Sequence, residues 1–73
     1  KFKLESNIDE QKLLQIAEQS RMHSNADLMV ANRIEDASIK AWIGPINSNY
    51  QCVSRENLPA SLLDAIEQIW KPQ

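Results

Sequence analysis

Few side chains in this sequence belong to types that do chemistry, and they are scattered along it. The adjacent acids Glu35 and Asp36 could in principle exchange protons. Paired carboxylates act as acid and base only when their surroundings separate their pKa values. Because neighbouring acids on a loop are usually solvated, we expect these two to have no catalytic role.

The single histidine and the single cysteine do not suggest a reactive centre either. His23 falls near the end of a predicted helix, where the helix dipole favours a positive charge. Cys52 falls in a predicted strand with no histidine or helix N-terminus to activate it, so we expect a buried, unreactive thiol. One histidine and one cysteine do not make a zinc site. We therefore predict no catalytic residue and no metal ligand in this chain.

The one glycine, Gly44, excludes the nucleotide-binding loops that are built from repeated glycines. If a nucleotide binds, this chain supplies only part of the site, at the carboxyl ends of parallel strands. Those ends are predicted at residues 5–7 (Glu5-Ser6-Asn7) and at Asn32-Arg33. The pattern predicts a polar rim there. A surface loop with good turn and capping residues is an equal alternative.

The first two elements place the Glu5 end of this rim. "KFKLE" (1–5) alternates, with Phe2 and Leu4 on one face, which is typical of a short strand. A helix follows, capped either by Asn7 with Glu10 or by Asp9, in which case Ile8 would pack against Leu13. Its apolar residues recur at helical spacing, and it should end between residues 22 and 24. That apolar face comprises Leu13, Ile16, Ala17 and Met22.

A four-residue apolar run, Leu28–Ala31, places the second half of the rim. Such a run predicts a strand that is buried on both faces. Strand, helix and strand over this length indicate a βαβ unit, with a right-handed crossover and parallel strands. Asn32 would then lie beside the end of the first strand.

The rest of the chain is predicted to form a β-hairpin and a closing helix. Residues 39–43 alternate, "GPINSN" (44–49) is typical of a turn, and residues 50–54 form a fourth strand. Pro59 suits the first position of the last helix, and Lys71 and Pro72 suit its end. Its apolar face comprises Leu62, Ala65, Ile66 and Ile69, broadened by Leu63 and Trp70. The fold class is α/β, with element order βαβββα.

Length and charge limit the possible functions. The 73 residues allow one domain, 1–73, and the net charge of −2 without a basic stripe argues against nucleic acid as a partner. No membrane span is visible. One cysteine cannot form an internal disulfide, which favours the cytoplasm. We expect Trp42 and Trp70 to pack in the core or to mark surface that another segment covers.

"FKLESN" (2–7), followed by a helix and "DLMVAN" (27–32), resembles the C-terminal part of phosphopantothenoylcysteine synthetases, also called phosphopantothenate–cysteine ligases. That family has an "SFKLET"-type strand end, a helix, a strand ending in "VAN", a hairpin and a closing helix. The stretch "YQCVSRENLPASLLDAIEQIW" (50–70) fits its tail in pattern. The resemblance covers nearly the whole chain and implies part of a Rossmann-like sheet.

The resemblance implies an enzyme of coenzyme A biosynthesis. The family activates 4′-phosphopantothenate with CTP or ATP and Mg²⁺, and cysteine then attacks the acyl-nucleotide to form an amide. Members are homodimers, and many carry a flavin-dependent decarboxylase upstream. By resemblance the nucleotide-binding residues here are Phe2, Glu5, Asn7 and Asn32, with Ser6 where threonine is usual.

The sequence departs from the family in ways that bear on activity. Two lysines that contact the triphosphate in bacterial members correspond to Ser20 and Ser24, although Arg21 or His23 could substitute. Arg33 stands where bacterial members have aspartate. The family's glycine-containing loop and catalytic lysine would lie before Lys1. We therefore expect a fragment of a larger ligase that is inactive alone. The alternative is a self-sufficient α/β interaction domain without catalytic activity.

Overall fold

The elements of the chain follow the predicted order. The computed structural model describes residues 1–70, so Lys71 and Pro72 lie outside the described part. One sheet has the strand order β1-β2-β3-β4, in which β1 and β2 are parallel and the other neighbours are antiparallel. The α/β class and the βαβββα order are confirmed. The elements are β1 (Phe2–Glu5), α1 (Glu10–Ser24), β2 (Met29–Arg33), β3 (Lys40–Ile46), β4 (Asn49–Ser54), a 3₁₀ turn (Arg55–Asn57) and α2 (Leu58–Ile69).

Strand β2 is buried on both faces, as the apolar run predicted. Val30 packs on one face in a cluster with residues of β3 and α2, including Ile43 and Ala65. Met29 and Ala31 point to the other face and pack against α1. Two helices therefore share one strand, which explains why the run has no polar position until Asn32.

The N-cap of helix α1 is Asp9 rather than the alternative, Asn7. The Asp9 side chain accepts a hydrogen bond from the Lys12 N–H at 2.7 Å. The helix ends at Asn25, which is left-handed with φ 56° and donates its N–H to the last turn. Leu13 and Ala17 are fully buried, but Met22 is 64% exposed. The apolar face of α1 is therefore shorter than predicted.

The turn predicted within "GPINSN" (44–49) is confirmed but is shorter than the six-residue link. Strand β3 continues through Gly44 and Pro45 to Ile46, with a register irregularity after Ile43. The reversal is confined to Asn47 and Ser48, whose φ values are 52° and 70°. Positive φ at both central residues suits the right-handed twist of a hairpin. The sequence alone did not distinguish this short turn from the longer link.

Gly44 has a packing role instead of a turn role. A Cβ added there would lie 2.8 Å from both the Asn49 carbonyl oxygen and Cγ of Tyr50. Such distances are too short for carbon, so β3 and β4 approach this closely only because residue 44 has no side chain. The glycine is required by the pairing of the hairpin strands.

Cys52 is exposed, which corrects the expectation of a buried thiol. Its register partner is Trp42, which packs against the α1 cluster. Helix α1 packs mainly on β2, and β4 is at the edge of the four-stranded sheet. The fourth strand is confirmed, but α1 reaches this face of β4 at Tyr50 and leaves Cys52 exposed.

Helix α2 packs mainly on β3 and β4 through residues that include Leu58, Leu62 and Ala65. Pro59 occupies its second rather than its first position. The predicted apolar face is thus confirmed for Leu62 and Ala65, but the other large apolar residues are uncovered. Leu63 is 57% exposed, Ile66 43%, Ile69 41% and Trp70 74%. One short helix over a narrow sheet cannot bury so wide an apolar face.

Replacing Ser48 by glycine should stabilise the fold. A left-handed residue with a Cβ costs roughly 1 kcal/mol, part of which is offset by the greater freedom of glycine in the unfolded chain. We expect Ser48→Gly to raise the free energy of unfolding in urea by about 0.5 kcal/mol. As a control, Ser61→Gly within α2 should lower it by a similar amount. A destabilised Ser48→Gly variant would contradict the turn geometry.

Candidate functional site

The parallel pairing of β1 and β2 brings the two predicted halves of the rim together. Leu4 is in register with Asn32, and Glu5 with Arg33. The Ile34 N–H donates to the Glu5 carbonyl oxygen at 2.8 Å, which extends the pairing past the last strand residue. The carboxyl ends of both strands therefore form one edge, which we call the strand-end rim: residues 5–7 and 32–36.

The apolar side chains of β1 face the same side of the sheet as Asn32. Register partners in a parallel pair project to one face, so Phe2 and Leu4 share a face with Val30 and Asn32. Val30 marks this as the α2 face. Because α2 packs mainly on β3 and β4, Phe2 remains 70% exposed and Leu4 54%. An uncovered apolar surface ending at a half-buried amide could receive a flat polar ring.

Asn7 leaves β1 in a left-handed conformation, with φ 60°. Asparagine adopts this region more readily than most residues. The Asn7 N–H donates to Oε1 of Glu35 at 3.0 Å, across the rim. Glu35 is therefore an exposed acid, as expected for the loop, and one of its carboxylate oxygens is also bonded to the β1 exit.

An ion-pair network lies on the opposite, α1 face of the rim. Arg33 contacts Asp36 at 2.6 Å and Glu10 at 3.7 Å. Lys40 contacts Glu10 at 2.6 Å and Asp36 at 3.8 Å. Arg33 also donates to the Ile8 carbonyl oxygen at 3.1 Å. The network joins the end of β2, the loop after it, the start of β3 and the first turn of α1.

This network sets the charge state of Asp36. The hydrogen bond from Arg33 lowers the pKa of the Asp36 carboxyl below its ordinary value, against the opposing effect of burial, and Lys40 adds to the lowering. The same hydrogen bond raises the pKa of Arg33. Asp36 is thus held in its ionised form by its ion pairs, and the absence of acid–base work by the Glu35–Asp36 pair stays a prediction.

The cations around the rim are already paired. Lys3 faces Glu5 at 3.4 Å, and Arg33 and Lys40 belong to the network described above. A triphosphate at this edge would have to displace a carboxylate or meet positive charge from elsewhere. Among residues 1–70, no cluster of three or more histidine, cysteine or acidic side chains could hold a metal ion.

The positions that correspond to the family's lysines lie away from the rim. Residues 20–24 form the end of α1, and in a βαβ unit that end returns to the amino ends of the strands. Each guanidinium nitrogen of Arg21 already donates: two to Glu18, at 2.7 and 2.6 Å, and one to the Ala26 carbonyl oxygen at 2.9 Å. Arg21 therefore lies away from the rim, and its three guanidinium nitrogens are engaged in these bonds.

The residues that sequence reasoning missed lie beside Arg21. The Tyr50 hydroxyl donates to Glu18 at 2.9 Å. Burial is the larger cause that raises the pKa of Tyr50, and the hydrogen bond to Glu18 raises it further. An open depression of about 450 Å³ adjoins them. The spacing of Glu18 and Arg21 predicts a helical ion pair, but nothing local indicates Tyr50. The depression is lined by Leu14, Gln15, Glu18, Arg21, Pro45, Ser48 and Tyr50.

The fold and the rim together define an α/β domain built on a parallel crossover. Among solved structures, the chain is similar to the DNA/pantothenate metabolism flavoprotein from Streptococcus pneumoniae, with a TM-score of 0.78 and 30% sequence identity. The match covers 97% of this chain but 33% of that chain, so this sequence spans about a third of its length. No protein-family model and no curated protein matches. Among residues 1–70, no helix is both long and apolar enough to span a membrane.

The structure thus brings Glu5, Asn7 and Asn32 to one edge and places Phe2 on the adjoining face of β1. A nucleotide-binding role for these four residues stays a prediction.

Acid should weaken the fold partly through Asp36. A carboxyl whose pKa is lowered on folding stabilises the native state above its ordinary pKa, 3.8 for aspartate, and this contribution is lost as the pH falls through the lowered value. Asp36→Asn should therefore be less stable than the wild type at pH 7 and lose less stability between pH 5 and pH 2. Urea unfolding across this range tests both expectations.

Asp64→Asn is the matched control, because Asp64 is exposed on α2 and makes no ion pair with any of residues 1–70. The pKa of Glu18 is also lowered, chiefly by its hydrogen bond with Arg21. Its protonation therefore also lowers the stability in acid, and it does so equally in both variants. Equal acid slopes for Asp36→Asn and Asp64→Asn would refute the role of the Arg33–Asp36 pair.

Proposed function

We propose that this chain forms one wall of the nucleotide site of a phosphopantothenate–cysteine ligase, an enzyme of coenzyme A biosynthesis. The observation that carries the proposal is the juxtaposition of "FKLESN" and "DLMVAN" at the carboxyl ends of two parallel strands. Ligands of open α/β sheets bind at such ends. The similarity to a DNA/pantothenate metabolism flavoprotein over 97% of this chain supports the same class of substrate.

In this proposal the two faces of the rim have different tasks. On the α2 face, Phe2 lies against the nucleotide and the Asn32 amide bonds to it. At the β1 exit, Glu5 and Asn7 complete the polar edge. The ion pairs of Arg33 and Lys40 on the α1 face hold the rim in shape and leave its positive charge neutralised.

The nucleotide is CTP or ATP, and Mg²⁺ is bound with it as part of the substrate. The carboxylate of 4′-phosphopantothenate attacks the α-phosphate and pyrophosphate leaves, which gives the acyl-nucleotide. The amine of cysteine then attacks the acyl carbon, and the amide forms as the nucleoside monophosphate departs. Because the cations of the rim are paired, charge on the triphosphate is met by Mg²⁺ and by groups of the remaining protein.

The catalytic groups belong to that remaining protein, and the fragment alone is inactive. The parent is a cytoplasmic homodimer in this proposal, and the unpaired Cys52 agrees with a reducing compartment. A flavin-dependent decarboxylase upstream is compatible with the flavoprotein similarity.

A second candidate is a non-catalytic interaction domain. The observation that favours it is the uncovered apolar flank of α2, in which Leu63 is 57% and Trp70 74% exposed. Exposed apolar patches of this kind mark contact with another surface. The two candidates differ in one measurable property, because only the first requires Asn32 for nucleotide binding.

Nucleotide affinity of the full-length gene product should depend on Asn32. We expect Asn32→Ala to weaken binding of CTP or ATP with Mg²⁺ by about tenfold, the equivalent of one lost hydrogen bond. Isothermal titration calorimetry measures the dissociation constant. Asn57→Ala is the matched control, since Asn57 is exposed and its side chain makes no capping hydrogen bond.

The melting temperature of each variant separates binding from stability. Unchanged affinity in Asn32→Ala would remove Asn32 from the site. Absence of nucleotide binding by the wild type would favour the interaction domain.

A further inference from the structure

The loop after β2 is fastened to the exit of β1 by a side chain as well as by the backbone. We infer that Glu35 is a positioning residue of the rim, which holds the backbone of Asn7 in place for the ligand. This inference rests on the proposed function and adds a residue to which neither the family resemblance nor the sequence pattern assigned a role.

Two adjacent hydrogen bonds make the connection. The Ile34 N–H donates to the Glu5 carbonyl oxygen at 2.8 Å, and the Asn7 N–H donates to Glu35 Oε1 at 3.0 Å. The exit of β1 and the loop after β2 thus each donate one of the two bonds and accept the other. The ladder of β1 and β2 ends at Glu5 and Arg33, and these two bonds extend the attachment of the segments beyond it as far as Asn7.

Asn7 needs such a partner because of its backbone. Its φ of 60° places it in the left-handed region, which is less favourable than extended or helical backbone even for asparagine. An unbonded N–H at this position would allow the residue to relax toward extended backbone. The Glu35 carboxylate stabilises the left-handed state, and a charged acceptor makes a stronger hydrogen bond than a neutral one.

The loop that carries Glu35 is itself held from the other side. Arg33 and Asp36, which flank it, are paired at 2.6 Å, and Arg33 also donates to the Ile8 carbonyl oxygen at 3.1 Å. The Asp36 carbonyl oxygen accepts the Ile39 N–H at 2.9 Å and closes the turn. Glu35 therefore extends from a fixed base, and its bond constrains Asn7 rather than the reverse.

Hydrogen exchange and nucleotide affinity test this inference together, on the full-length gene product. Glu35→Ala removes the acceptor, whereas Glu35→Gln keeps a carbonyl oxygen at the same place and removes the charge. Exchange is followed by mass spectrometry on peptides that cover residues 5–8. The control is Glu56→Ala, because Glu56 is exposed and forms no ion pair with any of residues 1–70.

We expect exchange in Glu35→Ala to be about fivefold faster than in the wild type, and exchange in Glu35→Gln to stay within about twofold. Affinity for CTP or ATP with Mg²⁺ should fall about fivefold in Glu35→Ala and recover in Glu35→Gln. Glu56→Ala should change neither quantity. Recovery by glutamine is the result that loss of stability alone would not give.

Three results would overturn the inference. Unchanged exchange in Glu35→Ala would show that the hydrogen bond does not hold Asn7. Faster exchange with unchanged affinity would show that Asn7 is held but that the ligand does not depend on it. If exchange is faster in Glu35→Ala but the wild-type protein binds no nucleotide, the proposed function is rejected. The role of Glu35 in holding the Asn7 backbone would then stand without a ligand to serve.

Discussion

The parallel pairing of β1 with β2 is the constraint on which the rest of this structure depends. It requires a crossover helix, and α1 buries Leu13 and Ala17 on one face of β2 while Val30 packs toward α2 on the other. A strand covered on both faces can end in polar residues only where it leaves the core. The abrupt change from Ala31 to Asn32 follows from this burial.

The same pairing creates the strand-end rim and separates its two faces. On the α1 face, Arg33 and Lys40 neutralise Glu10 and Asp36. On the α2 face, the surface beside Asn32 is apolar and uncovered. The apolar surface could contact the flat ring of a ligand, but the rim has no unpaired cation among residues 1–70 to bind the ligand's negative charge. This asymmetry is the physical reason for proposing one wall of a site rather than a whole site.

The small size of the sheet and its two helices also leaves apolar surface exposed. Neither helix covers β1 on the α2 face, and α2 leaves Trp70 74% exposed. In a chain of 73 residues, two helices cannot cover both faces of four strands. Docking onto further polypeptide would bury this surface, and both candidate functions include such docking.

Local patterns in the sequence determined much of this protein. Alternation, helical spacing and capping residues predicted the βαβββα order, the double burial of β2 and the position of Asn32 beside the end of the first strand, because each of these depends on neighbouring residues or on one standard crossover. Tertiary structure decided the rest. The pairing of β4 with β3 past Gly44 shortened the turn to Asn47-Ser48, and the narrow cover of α1 left Cys52 exposed. The Glu35 bond to Asn7 joins residues 28 positions apart. No local pattern encodes such a contact, since it exists only once the two strands have paired.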